Sequence, residues 1–259
     1  MMKKLFQILN GLAFGAVIFV NYLSNTGAMG GKTIGSVSNN IQSLFTPAGY
    51  AFSIWGIIYL GLFGFIVYQS KGLFSKVKNN DFILKIGPWF ILSSIANCLW
   101  IFTWIYGYTG LSCLCIFSLL FALMKIVARL NITDFLVLKS LKVLVILPFV
   151  IYSSWVTVAS VANVSSYLVK INWDGFGISP ILWTIIMIVV ASFINIIVLF
   201  KKNLTAFPYV GAWALFAIGI ANKLNHELVA NTAFAFAIIL LLAGTYHYIH
   251  KNKPIFTRK

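Results

Sequence analysis

The sequence predicts an all-α integral membrane protein with about eight transmembrane helices, and three observations point that way. Of its 259 residues, 61% are hydrophobic and only 9% charged. Ordinary soluble domains carry about 25% charged residues, so this chain lacks the polar surface of a water-soluble globule. Apolar stretches recur along its whole length, most of them near the roughly 20 residues a helix needs to cross the hydrocarbon core. The 19 Lys and Arg, set against 4 Asp and Glu for a net charge of +15, sit in the short gaps between those stretches. On a soluble chain such a surplus would suggest a nucleic-acid partner. Between spans it reads as a topology signal and as contact with anionic lipid headgroups, and no nucleic acid is expected.

The spans, in order, are Leu5–Leu23, Tyr50–Tyr68, Ile86–Tyr106, Gly110–Leu130, Leu141–Tyr167, Ile178–Phe200, Pro208–Ala221 and Leu228–Ile249. The first reads as an uncleaved helix, because its apolar stretch exceeds the roughly 7–15 residues of a secretory signal. The seventh is short and carries Gly211 and Gly219. None alternates at period two as a barrel strand would. With a cytoplasmic N-terminus marked by Lys3 and Lys4, the inside gaps and tail hold 16 of the 19 basic residues. The outside loops hold only Lys32, Lys170 and Lys223. Reversing the orientation or removing one span destroys this asymmetry, so both termini are expected inside. The short loops fit a bacterial inner membrane. Ser24–Thr46 is the one long loop, rich in Gly, Ser and Asn, and long loops in compact proteins are either disordered or functional lids.

Polar groups inside the spans are the informative exceptions, since each needs a partner in a solvent that offers none. Asn97, Trp100 and Trp104 fall three and four residues apart, on one face of the third span. Tyr152, Trp155, Ala159 and Asn163 make a similar stripe on the fifth span, and Phe52, Trp55 and Tyr59 on the second. These faces either line a cavity for a flat apolar ligand with a few polar atoms or pack helix against helix. Trp89 and Trp173, near span ends, read as interfacial belt residues. Catalytic residues and metal ligands are not expected. Asp81, Asp134, Asp174 and Glu227 form no pair, and His226, His247 and His250 cluster at the last span. Cys98, Cys113 and Cys115 lie in apolar stretches without metal-ligand spacing.

The run Phe45-Thr-Pro-Ala-Gly-Tyr-Ala-Phe-Ser-Ile-Trp-Gly-Ile-Ile-Tyr59 resembles the Pro-x-x-Trp-x-Phe-x-x-x-Trp-x-x-x-Tyr signature of the TspO/MBR family, the tryptophan-rich sensory proteins related to the mitochondrial translocator protein. Asn97-Cys-Leu-Trp100 is similar to the family's Asn-x-x-Trp, and Pro148 to Asn163 to its Pro-Tyr-x-x-Trp-x-x-x-Ala-x-x-x-Asn run. The signature's double proline is Pro47-Ala48 here, and Tyr50 stands where the family often has Trp. The resemblance covers roughly residues 5–170. It implies a five-helix TspO-like membrane region over 1–170, with about three additional C-terminal helices over 171–259. It further implies a lidded pocket for porphyrins, sterols or other aromatic ligands, with Pro47, Phe52, Trp55, Asn97, Trp100, Trp155, Ala159 and Asn163 as candidates; helix spacing adds Tyr59, Trp104 and Tyr152.

The leading expectation is therefore a sensor or carrier that binds a flat hydrophobic ligand, such as a tetrapyrrole, sterol or isoprenoid-like molecule. No cofactor is required, although a porphyrin or haem-like ligand is compatible with the faces described. Membrane lipids and the ligand are the expected partners, and a homodimer is also compatible. A secondary transporter, a porphyrin- or lipid-directed enzyme and a membrane scaffold are the rival readings, with an enzyme the less favoured.

Overall fold

The computed structural model describes residues 1–41, 43–74, 81–130 and 138–251. Helices account for nearly all of these, and no strand occurs among the described residues. Helix α1 (Met2–Asn25) is followed by the short α2 (Ile34–Asn40) and a 3-10 turn, Gly49–Ser53, that leads into α3 (Ile54–Phe74). A short α4 (Asp81–Ile86) precedes α5 (Trp89–Ile105) and α6 (Thr109–Arg129). The one-turn α7 (Lys139–Leu141) runs through a π-helical segment, Lys142–Ile146, into α8 (Leu147–Lys170). Helices α9 (Pro180–Lys202), α10 (Ala206–Asn222) and α11 (Glu227–Lys251) complete the chain. Lys76, Lys78, Asp134, Lys253, Arg258 and Lys259 lie outside the described residues.

Each of the eight apolar stretches is helical. Six of the resulting helical segments are long and apolar enough to cross a membrane. Helices α5 and α10 have 17 residues each, at the lower end of the roughly 17–25 that span a bilayer. The π segment in the fifth stretch precedes Pro148, which has no N–H to continue the regular ladder. The long first loop contains α2, because Thr33 and Ser36 close a reciprocal capping box at its start.

The chain divides into two compact units, Met1–Ser43 with Phe52–Trp173, and Leu44–Ala51 with Asp174–Lys259. In the first unit the five long helices pack as a closed ring in the order α1, α5, α6, α8, α3 and back to α1. Helix α1 has an inverted amphipathicity: its buried residues are Gln7, Asn10, Val17, Asn21 and Ser24, while Leu5, Ile8, Leu12 and Phe19 are exposed. A lipid solvent explains the inversion, since apolar side chains lose nothing by facing acyl chains and amides must find partners inside. Gln7 Nε2 donates to the Gln69 carbonyl at 2.6 Å, and Gln69 Nε2 donates back to the Gln7 carbonyl at 3.2 Å. At the same end Lys3 pairs with Asp81 at 2.6 Å.

In the second unit α9, α10 and α11 pack pairwise against one another. Glycines set how close they come. A Cβ on Gly219 would lie 2.5 Å from the Phe234 ring, and one on Gly211 would lie 2.6 Å from Asn195 Oδ1. The segment Leu44–Ala51 is held to α10 by three hydrogen bonds. Ala48 N–H donates to the Ala217 carbonyl (3.1 Å), Asn222 Nδ2 to the Leu44 carbonyl (2.8 Å) and Trp213 Nε1 to the Ala51 carbonyl (3.2 Å).

Candidate ligand site

The ring of the first unit closes around an aromatic cluster. Trp55 on α3 is its hub. Its indole stacks on Tyr59 (ring centroids 5.5 Å apart) and on Trp100 of α5 (6.1 Å). It also meets the edges of Tyr152 (5.6 Å) and Trp155 (6.5 Å), both on α8. Phe52 meets Trp155 edge to face at 6.2 Å, and Trp104 stacks on Trp100 at 6.3 Å. Offset and edge-to-face contacts of this kind suit the quadrupoles of the rings. Three faces that share only helix spacing in the sequence thus converge on one another.

Amides and hydroxyls border the rings. Trp100 Nε1 donates to Asn163 Oδ1 at 2.8 Å, and Asn163 Nδ2 donates to Ser112 Oγ of α6 at 2.8 Å. Asn97, fully buried, accepts at Oδ1 from Asn21 Nδ2 of α1 at 3.2 Å. All five ring helices therefore contribute a polar or aromatic group. Two buried indole donors in the cluster, Trp55 Nε1 and Trp155 Nε1, have no hydrogen-bond partner among the described residues, while the Asn97 amide lies beside the Tyr59 and Tyr152 hydroxyls. Each indole nitrogen carries a hydrogen to donate. Leaving one such group unsatisfied costs roughly 1–3 kcal/mol, so the two indoles together are a costly arrangement for mere packing.

A family model for TSPO-like proteins matches residues 7–246, nearly the whole chain. The chain belongs to the TSPO-like protein family. No curated protein and no solved structure matches it, so the family model alone carries the assignment. The TSPO-like match extends well past residue 170 and takes in α9, α10 and most of α11.

Within this TSPO-like chain the expected site residues are distributed unevenly. Phe52, Trp55, Tyr59, Trp100, Trp104, Tyr152 and Trp155 share one network of ring contacts. Asn97 and Asn163 join it through their amides. Ala159, one turn from Trp155 on α8, is half-buried, and Pro47 is buried in the second unit. Sequence reasoning missed Asn21 and Ser112, the partners of the two key asparagines. Asn21 was legible as one of the few amides in the first apolar stretch. Ser112 carried no signal, because a serine in a membrane helix ordinarily bonds its own backbone, as this one also does to Thr109. Trp89 meets Phe121 at 5.7 Å and has the Arg129 guanidinium over its ring at 5.4 Å, in keeping with a place near a span end. His247 is engaged with Asn203 (3.1 Å) and Thr205 (3.4 Å), which ties the end of α9 to α11. Among the described residues no group of His, Cys, Asp and Glu could hold a metal ion.

Proposed function

We propose that this TSPO-like membrane protein binds a flat, largely apolar ligand among the helices of its first unit and acts as a sensor or carrier for it. The supporting observation is the cluster around Trp55, where the stacked rings include two buried indole donors, on Trp55 and Trp155, with no partner among the described residues. Because those atoms are donors, the ligand's polar atoms are acceptors: ring nitrogens, carbonyls or carboxylates on an aromatic or polyene frame. A tetrapyrrole has that chemistry, and a sterol or isoprenoid carrying a carbonyl has it in reduced form. The indoles stack on the ligand's face, and Asn97 and the Trp155 indole N–H meet its edge. We place the protein in a bacterial inner membrane, with both termini cytoplasmic and its basic gaps against anionic headgroups.

Titrating protoporphyrin IX into the purified protein, with tryptophan fluorescence as readout, tests this reading. Saturable quenching is expected, weakened about tenfold in Trp100→Phe and Trp155→Phe, which corresponds to about 1.4 kcal/mol. Linear quenching that ignores both substitutions would mean partitioning into the micelle and would remove the proposal.

A further inference from the structure

At the end of the first unit opposite Met1, a cleft of about 460 Å³ opens beside α2 and the ends of α5 and α8. Its apolar wall is Val37, Ile41, Ile105 and Val169, and its polar groups include Lys32 and Lys170. No residue lining it is acidic. Lys170 Nζ donates to the carbonyl of Gly107, a residue held at φ +77° by the turn after α5. Neither lysine takes part in an ion pair among the described residues. Two of the chain's four acidic groups are committed elsewhere, Asp81 to Lys3 and Asp174 to the backbone N–H of Phe176. The cleft is built rather than incidental, because α2 is pinned on both sides. Trp104 Nε1 donates to the Ile34 carbonyl at 3.3 Å, and Ser43 shares a 2.7 Å hydrogen bond with Ser165 of α8.

The distribution of charge makes this pair of lysines informative. Lysine counts assign this side of the chain only three of its 19 basic residues, yet two of the three line one cleft. Ammonium groups above apolar walls, with no carboxylate in the lining, focus a positive potential into the opening. The volume falls in the ~300–1,000 Å³ range of small-molecule sites and is far larger than a bare inorganic anion needs. We infer that this cleft binds an anionic amphiphile, its carboxylate or phosphate held between Lys32 and Lys170 and its apolar body along Val37, Ile41, Ile105 and Val169. The inference does not depend on ligand binding at the Trp55 cluster.

The test uses the full chain in phosphatidylcholine nanodiscs and two fluorescent probes, 11-(dansylamino)undecanoic acid and its methyl ester, with the dansyl group excited directly. The acid is expected to bind saturably and about tenfold more tightly than the ester. Lys32→Gln and Lys170→Gln are each expected to weaken it about threefold and together about tenfold, as for partly exposed charge pairs worth under about 1 kcal/mol each. Lys223→Gln, on the second unit, and Trp100→Phe should leave it unchanged, which separates this site from the aromatic cluster. Lys32→Gln removes no side-chain hydrogen bond among the described residues, so its effect is not one of misfolding. Doping the discs with phosphatidylglycerol identifies the source of the anion. Displacement of the acid from the wild type supports the site with a lipid headgroup as occupant, and undisturbed binding supports it with a free amphiphile. Equal affinity for acid and ester, or equal affinity of wild type and double variant for the acid, would overturn the inference.

Discussion

Asn163 illustrates what one amide does in a membrane interior. Its carbonyl accepts the Trp100 indole of α5, and its amino group donates to Ser112 of α6, so one side chain on α8 joins three helices. Asn163→Leu would leave the Trp100 N–H and the Ser112 hydroxyl without these partners. Interhelical hydrogen bonds in membranes are individually modest, about 0.6 kcal/mol and up to about 1.7, and a stranded donor adds its own cost. The expected loss is about 1–2 kcal/mol, measured as a lower thermal midpoint in detergent. Ser112→Ala should cost less than Asn163→Leu, since it removes one of those bonds and not both. Equal losses would show that Trp100 does not depend on the amide. Trp100 and Asn163 stood out in the sequence because an indole and an amide repeat at helix spacing, but nothing local pointed to their bonding each other across 63 positions.

At the scale of helices, glycine decides how closely α10 approaches its neighbours. Gly219 lies where a methyl group would come within 2.5 Å of the Phe234 ring, whereas Gly11 on α1 has nothing within 4 Å of such a position. Gly219→Ala should therefore destabilise the second unit by about 1–3 kcal/mol, the usual cost of overpacking. Gly11→Ala should be neutral or slightly stabilising, because alanine is the better helix former. Phe234→Leu introduced with Gly219→Ala should recover part of the loss in the same thermal assay. Failure to recover any would place the strain elsewhere. At Gly211, Gly219 and Gly244 alike an added methyl group would come within 3.0 Å of a neighbouring side chain. Which side chain each one meets was not legible, since helical spacing identifies a face and not its neighbour.

For the whole chain, the distribution of lysines makes a topological prediction. Cysteine introduced at position 32, 170 or 223, in a background with Cys98, Cys113 and Cys115 replaced by Ala, should react with a membrane-impermeant maleimide added outside intact cells. Cysteine at Lys71 or Lys201 should react only after the membrane is permeabilised. Labelling of position 223 together with position 201 from one side would remove the crossing by α10, whose 17 residues make it one of the two shortest apolar helices. Labelling of 71 from outside would invert the orientation argued from charge.

Composition and the spacing of apolar runs determined the class of this protein and the positions of its helices, as α6 and α9 show by starting and ending within about two residues of their apolar stretches. The physical reason is that a helix in lipid satisfies its backbone locally, each N–H bonding a carbonyl four residues away, so its existence needs no tertiary partner. Tertiary structure alone decided which faces meet. Lipid is as apolar as a Leu-rich helix surface, so hydrophobicity does not distinguish the outside of α3 or α11 from the inside. Only packing brings Asn21 to Asn97, across 76 positions, and sets Lys32 and Lys170 into one cleft. The segment Leu44–Ala51 is decided in the same way: contiguous in sequence with the Trp55 helix, it bonds through Ala48 and Leu44 to α10, because those backbone groups find their partners there.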